Sequence, residues 1–284
     1  MLKIALTGAD GLVGSRIIEL LKDFSFIPIP QAKMDITNTE QTNAIIKEID
    51  FDIFLHLAAY TNVAAAETNK ELCFKINVEG TKNVFDAVTN KGKKFVYIST
   101  DFVFDGKNPP YFEDSTPNPP GIYAQSKYEG EKIVNNKAMI VRISYPYRAK
   151  FEIKKDFFRT FKSYLEQKKP LFMITDSLMT PTLIDDIAFG LKHLLNNYSP
   201  EIFHLGGGRA LSPYEAAMLV AEKFNLDKSL IGKTTYEEYM KNKPGLPQYA
   251  NIRSKKNNFW KMKTFDEGLE EIKIQMSNDK TANE

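Results

Sequence analysis

Three glycines spaced three apart, Gly8, Gly11 and Gly14, constrain the fold more than any other feature of the chain. Before them, Leu2, Ile4, Ala5 and Leu6 form an apolar run with no room for helical amphipathicity, which predicts a buried strand. After them the period changes. Leu12, Val13, Arg16, Ile17, Leu20 and Leu21 fall on one helical face, with Ser15, Glu19 and Lys22 left to water. Where Cβ is missing the backbone turns tightly, and a pyrophosphate can approach the amide groups at the start of the helix. A simple glycine turn would need no ligand. The strand before, the helix after and the place at the head of the chain favour the first unit of a doubly wound sheet that binds a dinucleotide.

The length of 284 residues suffices to bury roughly 75% of the unfolded surface, enough for one large domain or two unequal ones. With 38 basic and 36 acidic residues the net charge is +2, so nothing points to a nucleic-acid or strongly acidic partner. Cys73 is the only cysteine, which rules out an intramolecular disulfide, and without a His/Cys cluster no structural zinc is expected. The first apolar run is too short for a signal-peptide core and no later stretch approaches a membrane span. A soluble, cytoplasmic protein is expected.

Further along, Phe26 to Pro30 predicts a short strand ending in proline. A chain that selects NAD usually places an acid about 20 residues after the glycines to bind the ribose 2′-hydroxyl. Here the tip is Gln31-Ala32-Lys33, with no acid until Asp35, which leans towards NADP. Lys33 is either a 2′-phosphate partner or a solvated loop charge. A helix over 39–49, a strand over 51–59 ending in small Ala58 and Ala59, a helix over 71–90 and a strand over 94–98 follow. Within the 71–90 helix Asn77 and Gly80 interrupt the apolar face, so Asn77 is either a buried hydrogen-bonding residue beneath the site or ordinary helix surface. Ser99, Thr100 and Asp101 stand at the carboxyl end of the fourth strand, where ligands sit in an open parallel sheet. A proline-rich loop leads to a helix over 122–134 and a fifth strand over 138–143.

Beyond Tyr147 the alternation loosens. Helices are expected over 154–168, 184–195 and 213–224 and strands over 171–174 and 202–205, with Thr180-Pro181-Thr182 leading back to the core pattern and proline-broken segments extending to residue 274. The expected architecture is α/β. A doubly wound parallel sheet (Rossmann) comprises residues 1–148 and 181–205, a smaller discontinuous substrate lobe comprises 149–180 and 206–276, and 277–284 form a polar, frayed tail.

Tyr123 and Lys127 lie four apart, on one helix face. A phenol with an ordinary pKa near 10 is a poor acid at neutral pH, and a neighbouring ammonium lowers it, giving a general acid/base for a carbonyl/alcohol pair. The same lysine can hold a nicotinamide ribose, and Thr100 can hold a substrate oxygen. The Tyr-x-x-x-Lys spacing recurs at Tyr128/Lys132, Tyr164/Lys168 and Tyr239/Lys243, where it reads as solvated helix pairs. Only Tyr123/Lys127 opens a helix directly after the loop that leaves the Ser99–Asp101 strand end.

Gly8-xx-Gly11-xx-Gly14, Asp35-Ile36-Thr37-Asn38, Ala58 to Val63, Ser99-Thr-Asp-Phe-Val-Phe-Asp-Gly106, Tyr123-Ala-Gln-Ser-Lys127, Thr180-Pro181-Thr182 and Phe203-His204 occur in an order that resembles the dTDP-4-dehydrorhamnose reductases among the extended short-chain dehydrogenases/reductases. The likeness covers residues 1–225. It implies hydride transfer from NAD(P)H to C4 of a nucleotide-linked 4-keto-6-deoxy sugar in dTDP-rhamnose biosynthesis, with Thr100, Tyr123 and Lys127 catalytic. It implies cofactor contacts from the glycines, Leu12, Val13, Asp35, Ile36, Ala58, Ala59, Tyr60, Ser99, Tyr123 and Lys127, and substrate contacts from Thr100, Asp101, Phe102 and Tyr145. It also suggests a homodimer and magnesium, though no residue pattern here requires either. Ala64 and Ala65 replace an acidic and a basic residue usual in the family, and Tyr145 replaces a tryptophan, departures that bear on the sugar nucleotide more than on the chemistry. Two other readings stand beside the reductase. One is an NAD-holding nucleotide-sugar epimerase or dehydratase, although dehydratases resembling this family carry Thr-Asp-Glu where Phe102 stands here. The other is a non-catalytic NADP-binding subunit, similar to the regulatory subunit of methionine adenosyltransferase.

Overall fold

The computed structural model describes residues 1–281 except 242 and 244. Its centre is a six-stranded sheet of β1 (Lys3–Thr7), β2 (Ser25–Ile29), β3 (Ile53–His56), β4 (Lys94–Thr100), β5 (Met139–Ile143) and β9 (Ile202–Leu205), in the order β2-β1-β3-β4-β5-β9. Every neighbouring pair in it is parallel. Parallel strands are joined by crossovers that cover both faces with helices, so β3 and β5 are buried along their whole length and are apolar except for His56 and Arg142.

On one face lie α1 (Gly14–Leu20) and α8 (Ile184–Asn196), whose Ile17, Ile187, Leu191 and Leu194 pack on Ile4, Leu6, Val96 and Val141. On the other lie α2 (Thr39–Glu48) and a helical stretch that ends in α5 (Thr81–Asn90), packing Ile46, Val84, Phe85 and Val88 on Phe54 and Phe95. Each fully buried Leu or Ile contributes about 1.5–3 kcal/mol. The stretch expected as one helix over 71–90 is a continuous spiral in three parts: α4 (Lys70–Phe74), a π-helical turn (Lys75–Gly80) and α5. A shorter helix, α3 (Val63–Thr68), precedes it.

The helix over 122–134 appears residue for residue as α6 (Ile122–Val134). Its opening N–H groups have no partner within the helix, and the Glu67 carboxylate accepts from the Ile122 N–H at 2.9 Å. Gly130 lets α6 lie against β4: a Cβ there would stand 2.3 Å from the Tyr97 hydroxyl. That close approach fixes which face of α6 meets the carboxyl end of β4.

The rest of the chain builds a second apolar cluster. The short strands β6 (Pro146–Tyr147) and β8 (Thr182–Leu183) pair in parallel, as do β7 (Leu171–Ile174) and β10 (Ile231–Thr234). Around them lie α7 (Phe157–Glu166), α9 (Pro213–Lys223), the short α10 (Tyr236–Met240) and α11 (Phe265–Thr281). Tyr147, Phe158, Phe265, Leu269 and Ile272 form its centre. Thr180-Pro181-Thr182 is a structural hub. Thr180 donates to the Ala250 carbonyl, Thr182 accepts from the Gly207 N–H at 3.0 Å, and a Cβ on Gly207 would come within 2.0 Å of the Pro181 carbonyl.

Two expectations need correction. The segment expected to run proline-broken to residue 274 contains α11, and the tail expected to fray from 277 is helical to residue 281. Phe265, Leu269 and Ile272 are buried, and once those turns are anchored each further residue adds a backbone hydrogen bond without a new nucleation cost. Residues 282–284 lie outside the described residues.

Candidate functional site

The sheet order reverses between β1 and β3, and the cleft opens there, at the carboxyl ends of β1, β3 and β4. Its volume is about 790 Å³. Of the residues expected to bind cofactor or substrate, all but Tyr60 line it. Tyr60 works from behind: its N–H and C=O are held at 2.7 and 3.1 Å by the amide of Asn77, which is 1% exposed and also donates to Ser126 Oγ at 2.8 Å. Asn77 is thus the buried residue beneath the site, and the π turn carries it there.

At the dinucleotide end the glycines close a tight loop. Gly11 N–H donates to the Gly8 carbonyl at 3.1 Å and Gly8 has φ +69°, a region open chiefly to glycine. A Cβ on Gly14 would stand 2.2 Å from the Gly8 carbonyl oxygen. Gly14→Ala is therefore expected to destabilise the protein by about 1–3 kcal/mol through forced movement of this loop, read as a lower midpoint of urea unfolding. Gln31, Met34, Asp35 and Ile36 line the same end, whereas Lys33 is exposed and is not among the lining residues. Asp35 accepts from the N–H and hydroxyl of Thr37, both at 2.9 Å, which holds its carboxyl below the usual range.

At the other end β4 delivers Ser99, Thr100 and Asp101, and α6 delivers Tyr123 and Lys127 one turn apart. Lys127 is 4% exposed; its Nζ donates to the Ile98 carbonyl at 2.8 Å and lies 4.0 Å from the Tyr97 ring centroid. An ammonium carries three donors, so two remain for the cleft. Burial lowers its pKa to about 7. Burial likewise raises Tyr123 well above the ordinary phenol value, against a hydrogen bond with Thr100 that lowers it. The expectation that the lysine would depress the phenol is thus not met in the ligand-free protein, because desolvation disfavours the phenolate more than its neighbours favour it. The other three Tyr-x-x-x-Lys pairs lie outside the cleft. Tyr164 and Tyr239 are 44% and 36% exposed, and Lys132 pairs with Glu129.

Asp101 is 2% exposed and burial raises it to about 7, although Ser144 Oγ donates to it at 2.6 Å and Thr100 Oγ1 at 3.1 Å. Its pKa in the fold lies above the unfolded 3.8, so the native state holds the extra proton and unfolding free energy falls as pH rises through that window. Asp101→Asn is expected to flatten the stability profile between about pH 4 and 7; an unchanged slope in urea melts would contradict the assignment.

Aromatic rings wall the substrate end in an edge-to-face chain: Tyr123–Phe102 at 6.1 Å, Phe102–Tyr145 at 5.7 Å and Tyr145–Phe157 at 6.2 Å. Tyr145 sits at φ +38°, a strained setting for a bulky side chain and one that clusters at functional sites. The sequence reading missed Phe151, Ile153, Lys154, Lys155, Asp156 and Phe157, which complete this wall. They lie where alternation fails, and the only local signal is Asp156 as a helix cap, accepting from Arg159 N–H at 2.9 Å. Among the described residues no group of three or more His, Cys, Asp or Glu side chains is placed to hold a metal ion, and no helix is long and apolar enough to cross a membrane.

Two observations fit a dinucleotide in this cleft. The glycine loop leaves no room for Cβ beside backbone N–H groups at a helix start, and Ser99 Oγ, buried where it lines the cleft, has no hydrogen-bond partner.

The chain is similar in sequence and shape to several known proteins. A spore coat polysaccharide biosynthesis protein of Bacillus subtilis (strain 168), SpsK, is 30% identical over 256 residues, 88% of each chain. The β subunit of bovine (Bos taurus) methionine adenosyltransferase 2 is 28% identical over 245 residues, 80% of this chain and 73% of that one. Among solved structures, a dTDP-4-dehydrorhamnose reductase from Bacillus anthracis in complex with NADP superposes with a TM-score of 0.88 and 30% identity, over 97% of this chain and all of that one. The family model described as the RmlD substrate binding domain matches residues 2–277, and with the glycine loop, the Thr100 strand end and the Tyr123–Lys127 helix meeting in one cleft, the chain belongs to that family of extended short-chain dehydrogenases/reductases.

Proposed function

We propose that the protein is an NAD(P)H-dependent reductase of the 4-keto group of a nucleotide-linked 4-keto-6-deoxy sugar. The observation that carries this is the convergence of Thr100, Tyr123 and Lys127 at one end of a cleft whose other end is the glycine loop. A bound reduced nicotinamide would supply the hydride. Gly8, Gly11 and Gly14 would take the pyrophosphate, Asp35 and Ile36 the adenosine, and Ala58, Ala59, Ser99 and Lys127 the nicotinamide side. Thr100 positions the ketone oxygen by hydrogen bonding, and Tyr123 Oη–H gives that oxygen its proton as C4 becomes tetrahedral. Reduction needs the neutral phenol at the outset, and burial keeps it so. Lys127, one turn on, carries the positive charge that steadies the phenolate left behind.

Loss of reduced-nicotinamide absorbance, followed with NADPH and NADH in parallel on adding dTDP-4-keto-6-deoxy sugar generated in situ, tests the reading. We take NADPH as the first candidate because the tip of β2 carries Gln31 and because the similar reductase structure holds NADP. A second reading, a cofactor-holding regulatory subunit, draws on the likeness to the β subunit of methionine adenosyltransferase 2. Cofactor binding without turnover, together with a stable heteromeric complex, would favour it.

A further inference from the structure

Arg148 stands at the join between the glycine-loop helix and the segment 149–156 that walls the substrate end. Its Nη1 donates to Ser15 Oγ at 3.0 Å, and Ser15 Oγ donates in turn to the carbonyl of Gly11 at 2.8 Å. Its Nη2 pairs with Glu19 on the same helix at 2.7 Å. On the other side the Arg148 backbone N–H donates to Asp156 Oδ2 at 3.2 Å, and Asp156 caps α7. Arg159, bound to Asp156 at 2.9 Å, holds the carbonyls of Phe151 and Lys154. The two guanidinium groups flank the Phe151 ring, 5.6 and 5.8 Å from its centroid, and that ring lines the cleft. Arg148 is 8% exposed and its N–H bond to Asp156 is buried, whereas its partner Glu19 is half exposed.

We propose that Arg148 is a positioning residue: through Ser15 it ties the carbonyl of Gly11 to the 149–156 segment, so that a ligand seated on the glycine loop fixes the wall against which the second substrate binds. The chain of bonds is continuous, from Gly11 through Ser15, Arg148 and Asp156 to Arg159 and Phe151. A ligand that holds the Gly11 turn still therefore reduces the freedom of segment 149–156 without touching it. The inference rests on the dinucleotide reading for what occupies the loop.

Hydrogen exchange on the full chain, without ligand and with NADP⁺, tests it in the protein as isolated and in Ser15→Ala and Arg148→Met. Without ligand, the amides of residues 148 and 159, both held by the Asp156 carboxylate, are expected to exchange about tenfold faster in Arg148→Met and severalfold faster in Ser15→Ala, an alteration on a different element. Unchanged exchange there in Ser15→Ala, which removes only one hydroxyl from a helix, would overturn the proposal even if the arginine variant failed to fold. With NADP⁺, protection is expected at residues 8–14 and at the amides of 148 and 159 in the unaltered chain, and only at 8–14 in the variants. Protection confined to 8–14 in the unaltered chain would also overturn it. Absence of protection at 8–14 would count against the dinucleotide reading instead, and the ligand-free comparison would still decide the role of Arg148. In turnover the variants should raise KM for the sugar nucleotide about tenfold with kcat little changed.

Discussion

Tyr123→Phe is expected to lower kcat for ketone reduction by about 10²- to 10⁴-fold, while the affinity for the reduced cofactor, read by fluorescence, stays within about twofold. The substitution removes one oxygen and keeps the ring, so the edge-to-face contact with Phe102 at 6.1 Å persists and the substrate wall keeps its shape. What disappears is the proton donor. Thr100 retains its hydrogen bond to Asp101 at 3.1 Å, and Lys127 retains its bond to the Ile98 carbonyl at 2.8 Å. The loss should therefore fall on kcat and kcat/KM alike, the pattern of an interaction made only in the transition state. Turnover equal to that of the unaltered protein would remove Tyr123 from the mechanism and leave the cleft as a binding site alone.

The second large effect is one of stability. Arg142→Met is expected to cost about 3–5 kcal/mol, measured as a fall in the urea midpoint at unchanged m-value. Arg142 lies on β5 at 1% exposure and donates to both Glu131 oxygens, Nε at 2.9 Å and Nη2 at 2.7 Å, while its guanidinium stacks 5.0 Å from the Phe104 ring centroid. Its third partner fixes a tautomer. His204 Nδ1–H donates to the Arg253 carbonyl at 2.9 Å, so Nε2 accepts from Arg142 Nη1 at 3.3 Å. Burial and the arginine's charge hold His204 neutral, with a pKa of about 4. Removing the cation leaves Glu131, 2% exposed, as an uncompensated buried carboxylate. Because Glu131 sits on the same helix face as Lys127 and Tyr123, the damage should reach the active site as well. Glu131→Gln combined with Arg142→Met should recover part of the loss, since no unpaired charge then remains.

Much of this could be read from the sequence where a short-range pattern carried it. The opening strand, the glycine loop and α6 follow from period changes and from residues within one or two turns of each other. Helix α11 carries a short-range signal too. Thr264 and Glu267 form a reciprocal cap, with Thr264 N–H donating to Glu267 at 2.8 Å and Glu267 N–H to Thr264 Oγ1 at 3.3 Å. Ahead of Leu269, Ile272 and Met276 that spacing is a helix-start signal, and the last proline lies well upstream at Pro247. The wall from Phe151 to Phe157 has only the Asp156 cap as a signal, because an irregular segment held by side chains such as Arg159 need not repeat. The Glu131–Arg142–His204 cluster was half visible. An arginine inside Met139-Ile-Val-Arg-Ile143 implies a buried partner, but the partner stands 11 residues back on another element. The electrostatics of Tyr123 could not be read at all, since they depend on burial by the assembled cleft.

The π turn at Lys75–Gly80 has a consequence in helical phase. Each residue of an α-helix advances the azimuth by about 100°, and a π turn absorbs an extra residue without advancing the ladder. Upstream of it Cys73 faces Ser126 on α6 at 3.2 Å; downstream Thr81 faces His56 on β3 at 3.3 Å; both orientations are met only because the turn resets the phase between them. Losing one residue anywhere in 75–80 would restore a regular helix and swing one half away from its partners, with Asn77 leaving Tyr60. A single-residue deletion in this stretch is therefore equivalent to rotating one wall of the site, while a substitution that keeps the helical backbone leaves the phase intact.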